Sequence, residues 1–342
     1  MHTFLKICSK ILILLLVLGL LALGLIKYFV FGVHTNIKAD IGLKKTNAVW
    51  MAHEWVQIKS PNEKVHTLLS EMISNDISLI FLHTGPIGDD GIIPESRYPE
   101  AKRFLEMSKS FAPDMKFHAW IGQVRNELHI ENPEIRQNII KDSIHLIKDI
   151  GFDGIHLNIE PMQSDPDFAL LIWELRREFE AEGVPAELSA AISPIVPELP
   201  IKALKLISKD SFLGHDLSLN YSSLKYTKEI AGNLDYVVMM SYDTSFKDLK
   251  LYKWFMEQEL IFLLKVAPGK ALMGIPSYED VRNNFDSNIE NVSTAIDGVK
   301  IGLQNIRTNP DDLIGLAIYA RWTTDKSEWK TWREKWLGVV SR

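Results

Sequence analysis

The chain has 342 residues, with 38 Lys and Arg against 44 Asp and Glu for a formal net charge of -6, and a single cysteine. That balance offers no basic surface for neutralising phosphates, which argues against nucleic acid as a partner. Cys8 precedes the first apolar run, so nothing after it can form a disulfide or a thiolate metal site. The ten histidines lack H-x3-H or comparable ligand spacing, and neither a metal nor another cofactor is expected.

Residues Ile11 to Ile26 form sixteen uninterrupted apolar positions counting glycine, after Lys6 and Lys10, and the apolar run resumes from Tyr28 to Val33. A spanning helix needs ~20 residues and a cleaved signal core only ~7–15. Residues 11–33 are therefore read as a transmembrane anchor or signal segment, with "ALG" at Ala22 to Gly24 as a weak cleavage site. Lysines on the short side predict residues 1–10 inside and the bulk of the chain extracytoplasmic, secreted if the segment is cleaved. The polar stretch 34–46 reads as a tether.

From Asn47 onward, short apolar or aromatic runs alternate with longer amphipathic stretches, the pattern of parallel strands joined by helical crossovers. Eight runs stand out: "NAVWMAHEW" from Asn47, "SLIFLHTG" from Ser78, "KFHAWIG" from Lys116, "GIHLNIEP" from Gly154, "ELSAAIS" from Glu187, "DYVVMMSYD" from Asp235, "ALMGIPSY" from Ala271 and "GLAIYARW" from Gly315. Their spacing suits one strand, one helix and two loops per unit, so 47–342 is expected to be an α/β protein of the (β/α)8 TIM-barrel class. After the fourth run, Ser164 or Asp165 is a candidate N-cap, Pro166 stands in the first turn, and Phe168, Leu171, Ile172, Leu175 and Phe179 recur at helical spacing before Gly183. That helix is structural.

The fourth run carries chemistry. Alternate residues of a strand share a face, so Ile155, Leu157 and Ile159 should point to the helices, and His156, Asn158 and Glu160 into the barrel. Asn158 and Glu160 would lie ~6.6 Å apart near the C-terminal end, where barrel enzymes place their sites. A glutamate there can protonate a leaving oxygen, and an amide beside it can hold a substrate group. The structural alternative is a satisfied polar network within the barrel.

"FDGIHLNIEP" resembles the fourth-strand signature of glycoside hydrolase family 18, the chitinase-type barrels, which reads D-G-x-D-x-D-x-E. Asp153 and Glu160 match, while His156 and Asn158 replace the two inner aspartates. At Asn158 the sequence is more similar to family 85 endo-β-N-acetylglucosaminidases, with their N-x-E. "MMSYD" resembles the family 18 sixth strand, placing Met240, Tyr242 and Asp243 on matching positions, and "MGIPSY" is similar to the G-x-P-x-Y of the seventh. Tyr319 falls where a family 18 tryptophan floor would, with Trp322 three residues on.

The resemblance implies a glycosidase in which the substrate's own 2-acetamido oxygen attacks the anomeric carbon, so that one acid suffices. Glu160 would be that acid and then the base. Asn158 would accept the acetamido N–H, Tyr242 would donate to its carbonyl, and Asp243 would hold the sugar or Tyr242. An amide at 158 cannot raise the Glu160 pKa by like-charge repulsion, so burial or hydrogen bonds must do so. His156 either tunes this network or is a core histidine.

Glu54, His83, Gln123 and Arg321 are further inward candidates. Glu54 is the foremost, since "HEW" couples a carboxylate to Trp55. Substrate contacts are thus expected at His156, Asp243, Met240, Tyr319, Trp322 and Glu54, and catalysis at Glu160, Asn158 and Tyr242. A rival barrel enzyme would use Glu279 as nucleophile, but such enzymes have Asn and Glu adjacent rather than two apart. A second rival is a catalytically inactive, membrane-anchored barrel that binds glycans.

Overall fold

The computed structural model describes residues 46–160, 164–196, 221–280 and 285–339, with Val17 and Leu20. The expected membrane segment and tether therefore lie outside the described residues, apart from Val17, Leu20 and Thr46. Among the described residues no helix is long and apolar enough to cross a membrane.

Eight parallel strands close into a barrel. They are β1 (Asn47–Met51), β2 (Ile77–Pro86), β3 (Lys116–Val124), β4 (Gly154–Glu160), β5 (Glu187–Ile192), β8 (Tyr236–Met239), β9 (Ala271–Pro276) and β10 (Leu313–Tyr319), in the order β1-β10-β9-β8-β5-β4-β3-β2. All eight runs of the sequence fall on these strands. A separate two-stranded parallel pair, β6 (Ile195–Val196) with β7 (Ser222–Ser223), was not legible as strand pattern. β1 is shorter than its run: it stops at Met51, and the N–H groups of Val56 and Gln57 bond back to His53 O, turning Glu54–Gln57 into helix α1.

The outer layer is formed by α2 (Asn62–Ser74), α3 (Ala101–Phe111), α4 (Pro133–His145), α5 (Pro166–Ala181), α6 (Leu224–Ala231), α7 (Leu249–Val266), α8 (Val292–Leu303) and α9 (Lys326–Lys335). Helix α5 shows how directly local chemistry sets these elements. The Asp165 carboxylate accepts from the N–H of Asp167 at 2.9 Å, satisfying an orphan donor of the first turn, and Pro166 needs no partner there. Phe168, Leu171, Ile172, Leu175 and Phe179 are all buried as the spacing predicts, and Gly183, at φ +60°, ends the turn that follows.

Two apolar layers result. The larger lies between strands and helices; a smaller one fills the barrel with Ala48, Trp50, Leu79, Phe81, Val238, Leu272 and Ala317. A polar chain threads this interior. The Trp50 indole, a donor only, gives its N–H to His156 Nε2 at 3.1 Å, which makes that nitrogen the acceptor and leaves His156 Nδ1–H to face Ser189 Oγ at 3.0 Å. Ser189 Oγ also meets His118 Nδ1 at 2.9 Å, and His118 Nε2 meets Glu187 Oε2 at 3.0 Å. Partial burial pushes Glu187 up, but bonds from His118 and Lys116 outweigh it and bring its carboxyl down to about 2.

Candidate active site

The register of β4 builds the site. It pairs with β5 from Gly154 to Leu157 only, while on the other side β3 follows it to Glu160. Asn158 and Glu160 thus rise past the β5 ladder at the C-terminal mouth. Gly122 of β3 faces Asn158, and a Cβ there would stand 2.4 Å from Asn158 O, so the close approach of the two strands requires a glycine.

The side chains alternate as expected. Ile155, Leu157 and Ile159 join the outer core, and His156 is fully buried within the barrel. His156 stacks on Phe81 at a centroid distance of 3.8 Å; burial first, then the charge of His118, holds its pKa well below 6.5. It is a neutral, satisfied core histidine beneath the mouth, and its bonds to Trp50 and Ser189 account for both ring nitrogens.

Above it, Asn158 Nδ2 donates to Glu160 Oε1 at 2.8 Å. Among the described residues, its other end, Oδ1, is buried without a hydrogen-bond partner. A buried acceptor left unpaired costs about 1–3 kcal/mol, and such an atom in a site points to a group that arrives with the ligand. The Glu160 carboxyl is raised above its ordinary value by burial; the Asn158 bond opposes this, and the charge of Asp243 adds to it. A like charge therefore does act on Glu160, from the sixth barrel strand rather than from position 158.

The "MMSYD" segment continues β8. Met240 N–H bonds to Ile192 O at 2.9 Å, and its half-buried side chain packs on the core. The Tyr242 ring stacks on Tyr319 at 5.0 Å and 15°. Gly274 of β9 makes room for it, because a Cβ there would come 3.2 Å from Tyr242 Cε1 and 2.4 Å from Met239 O. Burial above all, then the neighbouring Tyr319, Glu160 and Asp243, raises the Tyr242 pKa well above 10, so its hydroxyl remains a donor. Asp243 sits at φ +58° and accepts a hydrogen bond from Tyr278 Oη. Tyr278 ends the seventh run, where the sequence marks no site residue; its ring stacks on Phe285 at 3.8 Å.

Tyr319 meets Trp50 edge-on at 5.6 Å and belongs to the aromatic cluster inside the barrel. Burial, with Glu160 and Asp243 nearby, pushes its hydroxyl up to about 12. Trp322 is 46% exposed and touches Tyr319 edge-on at 5.7 Å. It turns outward instead, into a cleft of ≈ 420 Å³ that it lines with Glu54, Lys64, Glu71 and Arg321. The structure thus gathers Glu160, Asn158, Tyr242, Asp243 and Tyr319 at the mouth, and pairs Glu54 with Trp322 beside it.

The remaining candidates have other duties. Gln123 is spent on Ile87 O and Val124 N, at 2.8 Å each, and Arg321 pairs with Glu71. His83 lies edge-on to Trp120 at 4.6 Å, its pKa lowered to about 4 by burial and by His53 and Arg97. Glu279 lines a different cleft, with Asp325 and Glu328. Asp153 works at the opposite end of β4, accepting from Phe117 N at 2.9 Å and Lys109 Nζ at 2.6 Å, and is structural. Among the described residues no group of three or more His, Cys, Asp or Glu is arranged to hold a metal.

A closed parallel barrel that sets a glutamate beside an amide and stacked tyrosines at its C-terminal mouth has the layout of a barrel glycosidase. The chain belongs to the glycosyl hydrolases family 18, whose model matches residues 74–337. Among solved structures it is similar to a chitinase from Chromobacterium violaceum, at 14% identity and a TM-score of 0.58, covering 87% of this chain and 100% of that one. A Group IV chitinase from Ostrinia furnacalis gives 14% and 0.58, over 85% of this chain and 99% of that one. The spore cortex-lytic enzyme SleL of Bacillus cereus gives 11% and 0.56, over 85% and 74%. Likeness at these identities establishes the fold. Comparison with curated proteins gives no match.

Proposed function

We propose that this glycosidase cleaves β-linked N-acetylglucosamine-containing glycans by substrate-assisted, retaining catalysis, with Glu160 as general acid and base. The observation that carries the reading is the orphaned Asn158 Oδ1 beside the Asn158–Glu160 hydrogen bond. The amide nitrogen already faces Glu160 Oε1, so the oxygen is left to accept an N–H. A 2-acetamido group supplies that donor. Its carbonyl would take the Tyr242 hydroxyl proton in a hydrogen bond, which aims the carbonyl oxygen at the anomeric carbon.

In the first step that oxygen forms a bond to the anomeric carbon as the glycosidic bond breaks, and the Glu160 proton passes to the leaving oxygen. In the second, water attacks the same carbon, the oxazoline ring reopens, and Glu160 recovers a proton from the water. Asn158 carries no charge, so the negative charge that offsets the cationic intermediate is that of Glu160 itself, newly ionised 2.8 Å from Asn158, together with Asp243. Asp243, Met240, Tyr319, Trp322 and Glu54 are proposed sugar contacts, and His156 supports Asn158 from below. Residues 11–33 are proposed to anchor the barrel on the extracytoplasmic side of a membrane, where cell-surface polysaccharides and glycoproteins carry 2-acetamido sugars.

One observation favours a second reading, a glycan-binding barrel without turnover: positions 156 and 158 hold a neutral imidazole and an amide where the family signature has aspartates. The two separate in one experiment. The full chain in detergent is incubated with chito-oligosaccharides, peptidoglycan fragments and a high-mannose N-glycopeptide, beside Glu160→Gln, and products are read by mass spectrometry. Products that vanish in the variant support hydrolysis and name the substrate. No product, with equal affinity in both proteins, supports binding alone.

A further inference from the structure

Two non-glycine residues, Asp243 at φ +58° and Ser245 at φ +59°, hold left-handed backbone within three positions at the end of β8. Such conformations cost about 1–3 kcal/mol each and persist only where surrounding contacts impose them. One such contact is Glu290, two residues before α8 and completely buried. Its Oε1 accepts from Thr244 N at 3.1 Å and from Thr244 Oγ1 at 2.7 Å, and it takes a further hydrogen bond from the Asp243 backbone. From the other side, Tyr252 of α7 donates to Ser241 O at 3.0 Å. The turn is thus gripped at 241, 243 and 244 by a group on α7 and by another from the segment that leads into α8.

We infer that Glu290 is a positioning residue for the active site: by pinning the Asp243–Ser245 turn it sets Asp243 against Glu160 and holds Tyr242 in its stack on Tyr319. Nothing in the sequence motifs points to it. The inference rests on the hydrolase reading for its consequence in catalysis, while the geometric part stands on the hydrogen bonds alone. Bonding to the backbone N–H groups of Asp243 and Thr244, the two residues that precede Ser245, holds the first left-handed residue and the link to the second. The titratable groups facing Glu290 are Asp243, Tyr252 of α7 and Tyr278 after β9.

The test compares the full chain in detergent with Glu290→Gln and, to guard against a folding defect, Thr244→Val, which removes one donor and keeps the carboxylate. On the glycan that the unmutated protein cleaves, both variants should lower kcat about 10- to 100-fold with KM within about twofold, since small misplacements of catalytic groups act on the chemical step. Thermal midpoints should move little in Thr244→Val. Unchanged kcat in both variants, or a loss that only tracks the folded fraction, overturns the inference. If the unmutated protein turns over nothing, the hydrolase reading fails and hydrogen exchange at the Thr244 amide decides the rest. Faster exchange in Glu290→Gln at an unchanged midpoint upholds the positioning role, and unchanged protection removes it.

Discussion

The amide of Asn158 donates to the carboxylate of Glu160 at 2.8 Å and keeps its own oxygen buried and, among the described residues, unpaired. Burial and the charge of Asp243 raise the Glu160 pKa while the Asn158 bond lowers it, so the acid is poised between opposed influences. A general acid must be protonated to act, and the rate should fall as pH rises through its pKa. Replacing Asn158 by Asp removes the donor and adds a like charge two residues away. The alkaline limb of the kcat/KM profile is expected to move to higher pH, and a pH–rate series on both proteins checks it.

Glu160→Gln should abolish turnover by a factor of about 10² to 10⁴ or more, the ordinary contribution of a positioned acid and base. Stability should hold or rise slightly, because the substitution removes a partly desolvated charge beside Asp243. Product release and thermal midpoint, measured on the same preparation, check the two halves together.

Trp50→Phe keeps the ring but withdraws the N–H from His156 Nε2, 106 residues away in sequence. The buried acceptor is left unpaired, at a cost of about 1–3 kcal/mol in denaturant unfolding. Because His156 is held neutral, the unfolded chain binds its proton more readily below pH 6.5, and this histidine removes stability as pH falls through that range.

Glu259 behaves in the opposite sense. It is buried on α7, accepts from Ile195 N at 2.7 Å, and burial pushes it up to about 8. A carboxyl raised in the folded state from 4.5 to about 8 contributes stability that is complete below its unfolded value and lost as pH rises through its folded one. Glu259→Gln should therefore melt close to the unmutated protein near pH 4 and above it near pH 9, read by thermal scans at both.

Much of this was legible because local rules decide it. The barrel strands are buried along most of their length, so each announced itself as an apolar run, and period-two alternation placed Asn158 and Glu160 on one side. Asp165 and Pro166 marked their helix by capping chemistry alone. What escaped depends on partners far along the chain. Nothing near Asp243 signals that it acts on Glu160 across the barrel or that Glu290 grips the turn following it, and Tyr278 gains its role only when β9 lies beside β8. The short helix Glu54–Gln57 escaped for a local reason, because it begins where the apolar run seemed to continue.

The central claim is that the substrate's acetamido group does the attacking while Glu160 moves the proton. Proton NMR of the first-formed reducing end, followed on the cleaved N-acetylated oligosaccharide before mutarotation, tests it most directly, with the de-N-acetylated form alongside. The β-anomer should form first, and sugars lacking the acetamido group should not be cleaved. An α-anomer first, or equal cleavage of the de-N-acetylated sugar, would contradict it.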